Sequence, residues 1–317
     1  MSHFTVLVIG PNPEEQLAPF HEFECTGIND QYVTDVDITD KVLLRVAGKG
    51  EYQHGSETLD EALDYWGLGD RIVEDEGEVD TSSDHKYGYA IVKDGVLIKA
   101  VNRTNENAHW DWYLVGGRWT GFFKLKAGAV GELGRPGLMT PVPSNGRADQ
   151  LTLGDIDVEG MRLDAAKEAG ERWDLLASVM GNPMPTIRPW ADYVDEPTLT
   201  WNERREAYHA QAPLVALENF RRTNHDSPLY KEQVELLSWL VYEDYMVSRE
   251  AYAERFANSA MSTYAVVKDG QWYECGKMGW WGMALDEKDK EAWGLEFAKL
   301  IDGLPLDTQL TLVDCHI

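Results

Sequence analysis

"YAIVKDGVLIKAV", Tyr89–Val101, holds two β-type runs joined by Asp94-Gly95. Asp-Gly supplies the positive φ angles that a two-residue hairpin requires. Nearly the same words return at Tyr264–Gly276 as "YAVVKDGQWYECG", where only Ile91 against Val266 differs within the YA-VKDG core. A Gly- and Trp-rich segment follows each hairpin: "HWDWYLVGGRW" (His109–Trp119) after the first, "MGWWGM" (Met278–Met283) after the second. Two unrelated Asp-Gly hairpins would account for the short match. The matching followers favour a duplicated half-domain.

The surrounding elements extend this expectation. "HFTVLVIG" reads as a first strand, ended by the Gly, Pro and Asn of "GPNPEE". "SETLDEALDYWG" predicts a short helix with Ser56 as its cap and Gly67 at its end, whereas "TDVDITD" is a poor strand interior. After the second hairpin, Trp293, Phe297, Leu300 and Ile301 recur at helical spacing, and "TQLTLVDCHI" supplies a last strand. From about 155 to 259 the composition changes to Ala-, Glu- and Leu-rich helical patterns broken by "MGNPMPTIRPW". The expected fold is α+β: an antiparallel sheet with ferredoxin-like duplicated halves, plus a helical insertion. Its segments are a first half at 1–154, the insertion at 155–259, and a second half at 260–317. The first half would supply strands from 3–10, 89–102 and 112–126.

Composition bounds the function. With 317 residues, 43% hydrophobic and 11% aromatic, the chain can bury a sizeable core. No apolar run approaches the ~18 residues of a membrane span, and the start lacks the pattern of a signal peptide. Three widely spaced cysteines, Cys25, Cys275 and Cys315, make no disulfide framework, so the cytoplasm is the expected location. With 55 acidic against 29 basic residues the net charge is -26, which repels phosphate backbones and disfavours direct nucleic-acid binding. Such a surface serves solubility, or mimics DNA in the basic cleft of a host protein.

"HWDWYLVGGRW" is the strongest candidate for chemistry. A strand beginning at 110 would put Trp110 and Trp112 on one face and His109, Asp111 and Tyr113 on the other. Gly116-Gly117 would turn the chain and bring Arg118 back toward Asp111. Arg118 suits a phosphate or carboxylate, the tryptophans suit a flat ligand, and His109 oriented by Asp111 suits general-base work. Trp119, and Trp280 and Trp281 of the second segment, would complete an aromatic cleft. A bulged core strand with a structural Arg-Asp pair is the alternative. In "FHEFEC", His21, Glu22, Glu24 and Cys25 form a single cluster short of a metal-ligand set; Cys315 and His316 could complete it in space, but nothing in the sequence requires this, and no metal and no cofactor is expected. Phosphate-loop, dinucleotide, GxSxG and HExxH motifs are all absent.

"MSHFTVLVIGPNPEEQLAPFHEFECTG", "WDWYLVGGRWTGFFKLK" and "ADQLTLGDID" together resemble a family of uncharacterised proteins encoded in tailed-phage genomes and their bacterial relatives, over most of the chain. The resemblance implies a phage or prophage setting, with counter-defence, nucleotide chemistry and host takeover as options. It carries no catalytic residue across. The expected function is binding of a small flat or phosphorylated ligand, nucleotides first among them. The alternatives are an acidic inhibitor of a host protein and an enzyme acting through His109 and Asp111.

Overall fold

The computed structural model describes residues 2–22, 30–50, 55–79, 88–138, 140, 143–194, 196–224, 242–278 and 284–317. The chain divides into two compact units: Met1–Asp155 with Thr263–Ile317, and Ile156–Ser262. The first unit is α+β. Its strands are β1 (His3–Ile9), β2 (Thr34–Asp37), β3 (Ile72–Val73), β4 (Gly88–Lys93), β5 (Val96–Thr104), β6 (Trp112–Gly117), β7 (Phe123–Lys124), β8 (Arg135–Pro136), β9 (Arg147–Ala148), β10 (Gln150–Thr152), β11 (Ala265–Lys268), β12 (Gln271–Glu274), β13 (Lys277–Met278), β14 (Ala284–Leu285) and β15 (Gln309–His316).

The main sheet runs β12-β11-β1-β15-β6-β8, with β10 also on β15. It is mixed rather than purely antiparallel, because β1 pairs with β11 in parallel and with β15 antiparallel. β15 is central. β1 flanks it along its length, β6 pairs with Val313–His316, and β10 pairs with Gln309–Thr311. Strands enclosed on both sides read as continuous apolar runs, which is why "TVLVI" and "LTLV" lack alternation. Phe4, Val6, Val8, Val313 and Cys315 share one face and pack with Leu17, Phe20, Trp110, Ala265 and Val267.

Both Asp-Gly hairpins form. Asp94 and Gly95 have φ 50 and 76°, Asp269 and Gly270 φ 52 and 72°, so both central residues of each turn are left-handed. They lie in different sheets, however. β4 and β5 belong to a second sheet, β2-β5-β4-β3, so residues 89–102 do not join β1 and β6 as the sequence suggested. This sheet packs on α2 (Thr39–Val46) and α3 (Leu59–Tyr65), following the small helix α1 (Pro13–Leu17), around Val42, Leu63, Leu68 and Ala100. Thr58, not Ser56, caps α3, in a reciprocal capping box with Glu61. "TDVD" becomes strand β2 because it lies at an edge, where its acidic side chains stay in water and Asp35 pairs with Arg103 at 2.8 Å.

The second unit is helical: α4 (Val158–Met180), α5 (Ala191–Val194), α6 (Trp201–His209), α7 (Ala212–Asn224) and α8 (Arg249–Asn258). Leu176, Tyr208, Leu217, Tyr245 and Tyr252 centre a core made from this unit's own residues. α9 (Lys290–Ile301) belongs to the first unit and is capped by Asp289. Among the described residues, no helix is long and apolar enough to cross a membrane. Because each unit carries its own core, replacing 156–262 by a short Gly/Ser linker should leave a first unit that unfolds in one cooperative thermal transition. A non-cooperative melt of the shortened protein would show that the helices complete that core.

Candidate functional site

The strand "TLVDCHI" interrupts its apolar run with Asp314 and His316, two residues apart and therefore on one face. Opposite them on β1, His3 is paired with His316 and Thr5 with Asp314. On β6, Trp112 is paired with His316. The result is a polar patch on the face opposite Cys315. His3 Nδ1 donates to Asp314 Oδ1 at 2.8 Å, and His316 Nδ1 donates to Asp111 Oδ1 at 2.7 Å. The two imidazoles meet edge to face with centroids 5.0 Å apart. Trp112 stacks on His316 at 4.8 Å and 18°, and meets His3 edge to face at 5.3 Å. Asp314 and His316 are buried, whereas Trp112 keeps 41% of its surface exposed.

The Gly-Gly pair serves this patch. Gly116 and Gly117 have φ 76 and 54°, and they turn the chain out of β6 and across the sheet face. A Cβ on Gly117 would lie 2.3 Å from Asp314 Cβ, and one on Gly116 would lie 2.6 Å from Asp149 Oδ2. Only glycine permits both the left-handed backbone and the close approach to two carboxylates. The turn's N–H groups then bind those carboxylates. Arg118 N donates to Asp314 Oδ2 at 2.9 Å, and Gly121 and Phe122 donate to Asp149 Oδ1 at 2.7 and 3.1 Å. Gly134 N donates to Asp149 Oδ2 at 2.8 Å. Burial pushes the Asp149 carboxyl up, opposed by these three N–H bonds.

The residues singled out from sequence separate into two groups. Asp111 and Trp112 come together on the patch, joined through His316 and His3, and Arg118 reaches it through its backbone N–H on Asp314. Trp110 does not. It is buried in the core against Tyr113, and its indole N–H donates to Leu17 O. The expected alternation fails because β6 begins only at Trp112, so Trp110 and Trp112 take opposite faces. His109 is not oriented by Asp111. It stacks on Trp272 at 4.4 Å and 8°, with Glu274 at 3.4 Å. Arg118 does not pair with Asp111 either; its side chain is exposed and unpaired among the described residues. Trp119 is half-buried in the turn closed by its N–H on Gly116 O. Trp280, Trp281 and Cys25 lie outside the described residues.

Glu274 illustrates the structural role of the His109 cluster. Burial raises its carboxyl, but hydrogen bonds from His109 and Trp272, with the His109 and Lys277 charges, bring it below the usual glutamate range. A depressed folded value means a contribution present above about pH 4.5 and lost as the pH falls through the lower folded value. Glu274→Gln should therefore cost about 1–2 kcal/mol at pH 7 and progressively less toward pH 3. A constant difference between the two proteins across that window would show that the carboxylate's charge contributes nothing.

His3, Asp314 and His316 are the residues that sequence reasoning passed over as a site. The available signal was the polar i, i+2 pair inside an apolar final strand. With their neighbours they provide two imidazoles whose Nδ1 atoms are each held by a carboxylate and one exposed indole, and the adjoining turn carries Arg118, whose guanidinium is unpaired among the described residues. Such a set can stack on a flat group, hold an anion and exchange a hydrogen bond at Nε2. Among the described residues no group of three or more His, Cys, Asp or Glu could hold a metal ion. Cys315 faces the apolar core, where burial pushes its thiol up, and so cannot join His316 in a ligand set. A cleft of about 260 Å³ beside His209, Leu214 and Tyr242 belongs to the helical unit and shares no residue with this patch. Comparison with protein-family models, curated proteins and solved structures gives no match.

Proposed function

We propose that the first unit binds a small flat anionic ligand, nucleotide-like in character, on the Trp112–Arg118 patch. One observation carries this: a half-exposed indole stacked over a buried, carboxylate-held histidine, followed along the chain by Arg118, whose backbone N–H joins the same cluster and whose exposed side chain is unpaired among the described residues. Indole suits a base, and the guanidinium fork suits a phosphate. In an acidic chain, an exposed arginine whose backbone is tied to a buried polar cluster is a natural seat for an anion. The phage resemblance sets the ligand in an infected cell, where sequestering a nucleotide counters host defence. The shared YA-VKDG hairpins, each with its first strand paired in parallel to a neighbour (β3–β4 and β1–β11), support an ancestral duplication of ferredoxin-like halves.

Isothermal titration against nucleoside monophosphates, the free nucleosides and inorganic phosphate tests the proposal. Arg118→Ala should weaken nucleotide binding about 10- to 100-fold with little change in melting temperature, since its backbone N–H to Asp314 survives. Equal affinity in wild type and Arg118→Ala, or no binding at millimolar nucleotide, would overturn it. The net charge of -26 favours a second reading, an acidic inhibitor of a host protein. Under that reading, host nucleic-acid enzymes should be captured at low salt and released as salt rises.

A further inference from the structure

We infer that the patch selects bases of the keto type, uracil, thymine, guanine and hypoxanthine, through His316 Nε2; this rests on the nucleotide reading above. As a carboxylate, Asp111 can only accept, so across the 2.7 Å from its Oδ1 to His316 Nδ1 the ring proton sits on Nδ1. In the neutral ring Nε2 then carries a lone pair. That atom is buried and has no hydrogen-bond partner among the described residues. A buried polar atom left unmatched costs free energy, and in a folded protein it marks a place where something else is to be received. His3 repeats the arrangement: its Nδ1 is held by Asp314, and its ring meets the His316 ring at 5.0 Å. The polar patch thus offers an acceptor nitrogen beneath Trp112, in a cluster that the backbone N–H of Arg118 joins at Asp314.

A ligand that matches it brings a ring N–H and an anion. Keto bases carry a ring N–H beside their carbonyl. Adenine N1 and cytosine N3 carry lone pairs, and would set acceptor against acceptor at Nε2. Trp112 is the exposed ring of the cluster, and it covers His316. Entry requires this indole to turn aside, after which it can stack on the base as it now stacks on the imidazole.

The test is titration of UMP, GMP and IMP against CMP and AMP, with wild type and His316→Phe, which keeps a flat ring for Trp112. Wild type should prefer the keto set by about tenfold or more, the difference expected for one matched buried hydrogen bond. The preference should shrink to less than about twofold in His316→Phe while the dependence on Arg118 persists. Long-range ¹H–¹⁵N imidazole spectra of the wild type give a second measurement, independent of the variant's folding. Saturating UMP should shift the His316 Nε2 resonance. Equal binding of all five nucleotides, or an unmoved Nε2 resonance, would overturn the inference and leave the nucleotide site standing. Failure of every nucleotide to bind would remove the site itself.

Discussion

Asp149→Ala should lower the melting temperature of the first unit by roughly 10 °C, corresponding to about 4 kcal/mol. Asp149 is fully buried and accepts hydrogen bonds from Gly121, Phe122 and Gly134, which hold the loop after β6 against β8 and β10. Removing it strands three N–H donors at once, and a buried donor without a partner costs about 1–3 kcal/mol. Asp149→Asn keeps the shape and tests the charge pattern. Its amide oxygen can serve two donors, but its NH₂ must then face the third. The loss should be about 3 kcal/mol, close to that of alanine. Denaturant unfolding of the three proteins measures both. A change below about 1 kcal/mol for alanine would show that solvent reaches these N–H groups.

Gly117→Ala should have a comparable effect, about 3–5 kcal/mol, by another route. A left-handed alanine alone costs about 1–2 kcal/mol. The rest comes from a methyl 2.3 Å from Asp314 Cβ, an atom that cannot retreat because its carboxylate is tied to both His3 and Arg118 N. The variant should therefore lose the Asp314–His3 hydrogen bond as well as stability, and the His3 Nδ1–H signal should broaden or vanish in imidazole spectra. Gly128→Ala is the control. Gly128 also has a left-handed φ, 81°, but nothing lies within 4 Å of an added Cβ. It should cost only about 1–2 kcal/mol. Equal losses at the two positions would mean that backbone conformation, not the approach to Asp314, explains the Gly-Gly pair.

Much of the local structure was legible because it depends on neighbours in sequence. Asp94-Gly95 and Asp269-Gly270 dictate their turns through the φ angles they permit, and the Trp293, Phe297, Leu300 spacing dictates α9 through the helical repeat. Thr58-x-x-Glu61 was equally legible as a capping box, though Ser56 drew the eye. The sheet to which each hairpin belongs was not. β4 and β11 have almost the same sequence, yet one pairs with the two-residue β3 and the other with β1, and strand partners are chosen by packing over hundreds of residues.

The candidate site divides along the same line. Sequence by itself determined that an indole, a carboxylate, a left-handed turn and an arginine stand within a few residues of one another in "WDWYLVGGRW", and that the chain is strongly acidic. It also determined that Asp314 and His316 share a strand face, because alternation is a property of the strand alone. Only the tertiary structure decided that Asp111 orients His316 instead of His109, that Trp110 is core while Trp112 is exposed, and that the two glycines lie over Asp314 and Asp149. The reason is physical. The first depends on β15 coming between β1 and β6, which joins Asp111 to a residue more than 200 positions away, and the others likewise on contacts between distant segments, across which no local rule of periodicity, capping or turn geometry reaches.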